Sequence, residues 1–150
     1  MAISVRRLMR SDEAALELLV REDADFDIDG RGGDDEPLSA AEASRFLEDP
    51  AVLFWVAEAD GVITGFLFCH VLSMRHRPAR ELLLYETGTR KDWRRKGVGR
   101  ALMNAAFDWM KSNGIDQIWV LADNDGAAEF YRANGFEVPE DMALYMTRGD

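Results

Sequence analysis

Arg94-Arg95-Lys96-Gly97-Val98-Gly99-Arg100 places four cations and two glycines in seven consecutive residues. The glycines let a backbone approach a ligand closely. The apolar spacing that follows them, Ala101, Leu102, Ala105, Ala106, Trp109 and Met110, predicts a helix starting there. Unpaired amides at a helix start, with the dipole behind them, suit a phosphate or pyrophosphate. Tight strand–helix packing explains a lone Gly-x-Gly equally well. The stretch lacks both the Gly-Lys-Ser/Thr ending of a Walker loop and the third glycine of the dinucleotide fingerprint. About 25 residues further on comes a second spaced set: Asn124, Ala127, Phe130, Tyr131, Gly135 and Phe136.

The acids are gathered elsewhere. Segment 22–36 holds eight acids and one base, a net of −7 within a chain of net charge −10. A solvated loop explains it, since like charges repel and glycines add freedom. A docking surface for a polycation explains it too. Asp25-x-Asp27-x-Asp29-Gly30-x5-Glu36 also fits a calcium-loop pattern, with oxygens at alternate positions and glycine at the turn. Against calcium stand the absence of a second such loop in the sequence, Gly32 where a branched apolar residue is usual, and Pro37 directly after the last ligand.

The elements that must position these residues follow from periodicity. Residues 2–7 predict a strand and 11–22 an amphipathic helix. Ser39 with Glu42 predicts a capping box and a helix to Glu48. Residues 52–59 and 62–73 predict strands joined by a two-residue turn at Asp60-Gly61. The second is apolar on both faces and is expected to be central. Residues 81–89 predict a third long strand, 115–121 another, 124–133 a short helix and 136–147 a last strand. Hairpins come early and strand–helix–strand units late, so the class is mixed α/β. No repeat or linker interrupts the chain, and 1–150 is expected to be a single domain.

Composition bounds the rest. The chain is 47% apolar and 31% charged, which is globular rather than disordered. Its acidity argues against general affinity for nucleic acid or an anionic membrane. The N-terminal residues do not read as a signal peptide, and a reducing cytoplasm is the expected compartment. The single cysteine, Cys69, makes neither an internal disulfide nor a cysteine-based zinc site, and no metal site is expected from His70 and His76.

Arg94-x-x-Gly97-x-Gly99 followed by Asn124-x-x-Ala127-x-x-Phe130-Tyr131-x-x-x-Gly135-Phe136 resembles the GNAT superfamily of acetyl-CoA-dependent N-acetyltransferases. Within it, Glu81-Leu82-Leu83-Leu84-Tyr85-Glu86 before Arg94-Arg95-x-Gly97 is most similar to the aminoglycoside 3-N-acetyltransferase branch, which has Asp where this chain has Glu86 and Leu-Ala-Val where it has Thr87-Gly88-Thr89. The resemblance implies a twisted, mostly antiparallel sheet of about six to seven strands flanked by about four helices. It implies acetyl-CoA held by Arg94, Arg95, Lys96, Gly97, Val98, Gly99 and Arg100, by the backbone of Thr87, Gly88 and Thr89, and by Asn124 and Ala127. It implies Glu86 as the base that deprotonates the amine and Tyr131 as the acid for the departing thiolate. Backbone N–H groups around Thr87 to Thr89 are the expected oxyanion donors. For Asn124 the alternative is a plain helix cap, and for Tyr131 a core aromatic.

A polycationic amine needs several carboxylates, and Glu86, Asp123, Asp125 and the 23–36 loop, with Asp34 and Asp35, are the expected set. An aminoglycoside is the leading substrate. A polyamine, a protein amine and a non-catalytic acyl-CoA sensor are alternatives. A homodimer is implied by resemblance alone. Cys69 lies in an apolar strand without a neighbouring base and is not expected to be a nucleophile. Trp93 either packs beside the adenine or plugs a turn.

Overall fold

Two central strands are apolar on both faces, and that sets the layers. The computed structural model describes residues 2–26 and 35–149. In β2 (Val52–Ala59), Leu53, Trp55 and Ala57 enter one core while Val52, Phe54 and Val56 enter another. Alternation along a strand requires this, so helices must cover both faces. On one side lies α4 (Val98–Ser112), through Leu102, Met103, Ala106 and Met110. On the other lie α1 (Glu13–Arg21) and α3 (Ala40–Glu48), through Leu16, Leu19, Ala43 and Leu47.

The sheet runs β1-β2-β3-β4-β5, with β1 (Ser4–Arg7), β3 (Val62–Ser73), β4 (Arg80–Thr89) and β5 (Ile118–Val120). All neighbours are antiparallel except β4 and β5. A parallel pair needs a crossover, and α4 supplies it. β3 is central, as its two apolar faces predict. Asp60 and Gly61 both have positive φ, 53° and 75°, the signature of the expected tight hairpin turn. The Ser39–Glu42 capping box is present.

Three expectations change. Among the described residues the sheet has five strands, and 136–147 adds no sixth. Pro139 in that tail has no ladder donor, and Met142, Leu144, Tyr145 and Met146 are all at least 70% exposed, so no apolar face is covered. β5 is three residues long rather than seven and offers little edge to pair with. Finally, a single helical turn, α2 (Asp23–Phe26), opens the acidic segment and raises the helix count among the described residues to five, with α5 (Asp125–Ala133) the last. Asp34, and Asp27, Asp29 and Gly30 of the calcium pattern, lie outside the described residues.

Candidate active site

The site begins where a ladder stops. Leu82, Leu83 and Leu84 pair with Ile118, Trp119 and Val120, and the β4–β5 pairing ends there. On the other edge of β4, Cys69 faces Leu84 and Phe68 faces Glu86, so Tyr85 is an extra residue. Such a bulge bends its strand and increases the twist. Beyond it β4 and β5 part. Tyr85, Glu86, Thr87, Gly88 and Thr89 line one wall of a cleft, and Leu121, Ala122, Asp123 and Asn124 the other. Thr87 Oγ1 donates to the Phe66 carbonyl at 2.9 Å, which turns its side chain into the sheet. Glu86 is exposed at the bulge.

The cleft is lined by charges of both signs. Arg94, Arg95, Gly97, Val98, Gly99 and Arg100 line it around the start of α4. Gly97 starts α4 at φ 88° and provides no side-chain cap, so the first amides of a 15-residue helix are left for a ligand. Arg94 Nε donates to the Thr89 carbonyl at 3.3 Å, and its Nη2 is buried without a partner among the described residues. A tethered cation with an unused donor beside uncapped amides fits a pyrophosphate-bearing cofactor such as acetyl-CoA. The two glycines act differently. Gly97 serves the left-handed turn, with open space where a Cβ would go. A Cβ on Gly99 would lie 2.7 Å from Phe130 Cε1, so this glycine lets α4 meet α5. Lys96 does not line the cleft and sits over the Trp93 ring at 5.3 Å. Trp93 packs partly buried against the α4 core and also lines the cleft, so both of its readings stand.

Glu13, Glu17, Asp23, Asp35 and Glu86 line the same cleft. Glu13 and Glu17 are additions to the expected acids, and Asp23 belongs to the expected 23–36 loop. A spacing of four puts Glu13 and Glu17 on one helical face, a signal legible in the sequence. Glu13 accepts from Ser44 Oγ at 2.6 Å, and that bond holds its carboxyl below the usual range. Asp123 lines the cleft near the β5 end, whereas Asp125, in the first turn of α5, does not. Asp25 accepts from Arg90 Nη1 at 3.2 Å.

Tyr131 lies on the inner face of α5, 8% exposed, and lines the same cleft as Glu86. Phe130 and Phe136 rings flank it, each at 5.4 Å. Burial pushes its phenol up to about 12, with the charge of Asp123 acting the same way. The hydroxyl is therefore protonated through the neutral range. Burial also pushes the Cys69 thiol up to about 12, which keeps it protonated and poorly nucleophilic. Asn124 Oδ1 accepts from the Ala127 amide at 2.8 Å, so the expected pair meets in a helix cap.

A family model described as Acetyltransferase (GNAT) family matches residues 15–136. An uncharacterized N-acetyltransferase of Methanocaldococcus jannaschii is 37% identical over 90 residues, covering 58% of this chain and 40% of that protein. A mycothiol acetyltransferase of Clavibacter michiganensis is 34% identical over 90 residues, covering 59% of this chain and 28% of that protein. The match thus spans less than half of either relative. The fold superposes on the crystal structure of an aminoglycoside acetyltransferase from an uncultured soil metagenomic sample, with a TM-score of 0.85, 23% identity and full coverage of both chains.

Proposed function

The chain belongs to the acetyltransferase (GNAT) family, and from that premise we propose that it acetylates a primary amine of a polycationic small molecule, an aminoglycoside at its 3-amino group. Acetyl-CoA, when bound, supplies an activated acetyl thioester. Arg94, Arg95 and the first amides of α4 hold its phosphates. The substrate's ammonium groups meet the carboxylates that line the cleft. Glu86 takes the proton from one of them, freeing the lone pair that attacks the thioester carbon. Backbone N–H groups around Thr87, Gly88 and Thr89 donate to the carbonyl oxygen as it gains charge. Tyr131 donates a proton to the sulfur as the C–S bond breaks, and the nitrogen, now bonded to the acetyl carbon, gives up its second proton to solvent, from which the phenol is restored.

One observation carries this reading: a single cleft is lined by Arg94, Arg95 and Arg100 around the start of α4, by Glu86, and by Glu13, Glu17 and Asp23 of α1 and α2, so an anionic donor and a cationic acceptor each meet side chains of opposite charge. A second reading has its own support, since identity is higher to the mycothiol acetyltransferase than to the aminoglycoside enzyme. The test is thiol release from acetyl-CoA with an aminoglycoside, the amine acceptor of a mycothiol acetyltransferase, spermidine and a peptide amine. Wild type and Glu86→Gln are compared, and the product's acetylated nitrogen is assigned by NMR. Turnover on the aminoglycoside that falls at least about 100-fold in Glu86→Gln supports the proposal. Turnover on another amine alone reassigns the substrate, and an unimpaired Glu86→Gln removes the base.

A further inference from the structure

We infer that Arg90 is a positioning residue that sets amine selectivity: it latches α2 to the sheet so that Asp23 faces the cleft and receives a second ammonium of the substrate. This rests on the acetyl-transfer reading above. Arg90 directly follows β4, and its side chain is 14% exposed. Its amide donates to the Thr64 carbonyl at 2.8 Å and its Nε to the Ile63 carbonyl at 2.6 Å. Its Nη1 donates to Glu22 Oε1 at 2.8 Å and to Asp25 Oδ2 at 3.2 Å. The guanidinium carbon lies 4.6 Å from the Phe26 ring centroid. One planar group thus joins the start of β3, the end of β4 and the α2 turn, a fork that lysine cannot reproduce.

The latch holds α2 close to the reacting strand. A Cβ on Gly88 would lie 3.1 Å from Phe26 Cβ and 3.2 Å from the Phe26 carbonyl. Residues three apart share a helical face, so Glu22 and Asp25 turn together toward Arg90. Neither lines the cleft, whereas Asp23 and Phe26 do. Asp23 has no ion-pair partner among the described residues, and its Oδ1 is buried there without a hydrogen bond. A carboxylate so placed gains from a cation arriving through the cleft. A polycation offers that cation while Glu86 serves the reacting nitrogen. A monoamine does not.

The experiment compares wild type, Asp23→Asn, Arg90→Gln and the double variant on a kanamycin-type aminoglycoside and on glucosamine. Each single variant raises KM for the aminoglycoside about ten- to thirtyfold. KM for acetyl-CoA and for glucosamine stays within about twofold. The double variant is no worse than the singles, because Arg90 acts through Asp23. Hydrogen exchange in Arg90→Gln speeds up at residues 22–26 and not in α4. Equal losses on both amines, additive losses in the double variant, or unchanged exchange at 22–26 overturns the inference. Wild type inert on every amine defeats the acetyl-transfer reading instead, and then calorimetric binding of the aminoglycoside decides the latch: a Kd unchanged in Asp23→Asn refutes it.

Discussion

Tyr131→Phe removes one oxygen and keeps a ring already packed between Phe130 and Phe136. Its melting temperature should stay within about 3 °C of wild type. The kinetic effect follows from the buried phenol. Burial holds it at about 12, while an alkyl thiol has a reference pKa near ~8.5. Complete transfer of the phenolic proton to the departing thiolate is uphill by about 3.5 units, or about 5 kcal/mol. The hydroxyl therefore acts as a charge-assisted donor that shares its proton while the C–S bond breaks. Losing such a donor costs about 1.5–3 kcal/mol, a fall of about 10- to 150-fold in kcat. KM for acetyl-CoA changes little, because the bond strengthens only as charge develops on sulfur. The assay is thiol release at saturating substrates between pH 7 and 10. The ratio of wild-type to Tyr131→Phe rates should be constant over that range, since the phenol stays protonated throughout. An unchanged kcat in the variant would assign Tyr131 to packing alone. A ratio that collapses toward one near pH 10 would show that the phenol ionises there and would refute the burial argument.

Cys69 makes stability pH-dependent. Its folded pKa is raised from 9.0 to about 12, so the native state keeps a proton that the unfolded chain releases. The contribution is complete below pH 9 and is lost as pH rises toward 12, about 2 kcal/mol of it by pH 10.5. Urea unfolding at pH 8 and 10.5 should show a smaller alkaline loss in Cys69→Ala than in wild type, and equal losses count against the burial. Gly99→Ala would ordinarily favour a helix by about 1 kcal/mol. Here the new Cβ meets Phe130 at 2.7 Å, so the variant should instead lose about 1–2 kcal/mol in urea unfolding and bind acetyl-CoA more weakly. A stabilised Gly99→Ala would show that α5 can move away freely.

Most of the element order is legible because it rests on local rules. The Ser39–Glu42 box, the Asp60-Gly61 turn and the two-faced apolar β3 all appear where the spacing predicts them. The cation–glycine loop opens α4, and Asn124 caps α5. The tail at 136–147 has a strand's composition without forming one, because such a pattern needs an edge ready to accept it, and β5 presents three residues. Sequence proximity groups Asp125 and Lys96 with their neighbours, but the backbone turns at each position and carries the side chain off the cleft wall. Glu13 and Glu17 are available from their spacing. Asp23 is available only as one of the loop's acids, which look alike on charge alone.

The amino-acid sequence determined where most helices and strands begin, which glycine-rich basic loop opens α4, and which strand carries the candidate base. These follow from capping, turn chemistry and periodicity, which act over a few residues. Tertiary structure alone decided how the pieces meet. The bulge at Tyr85 depends on the register between β3 and β4. The gap beyond Leu84 depends on where a parallel ladder ends. The choice among neighbouring acids depends on Arg90, which reaches Glu22 across 68 residues of chain. Pairings at that separation are set by packing of the whole sheet against its helices, and no local pattern encodes them.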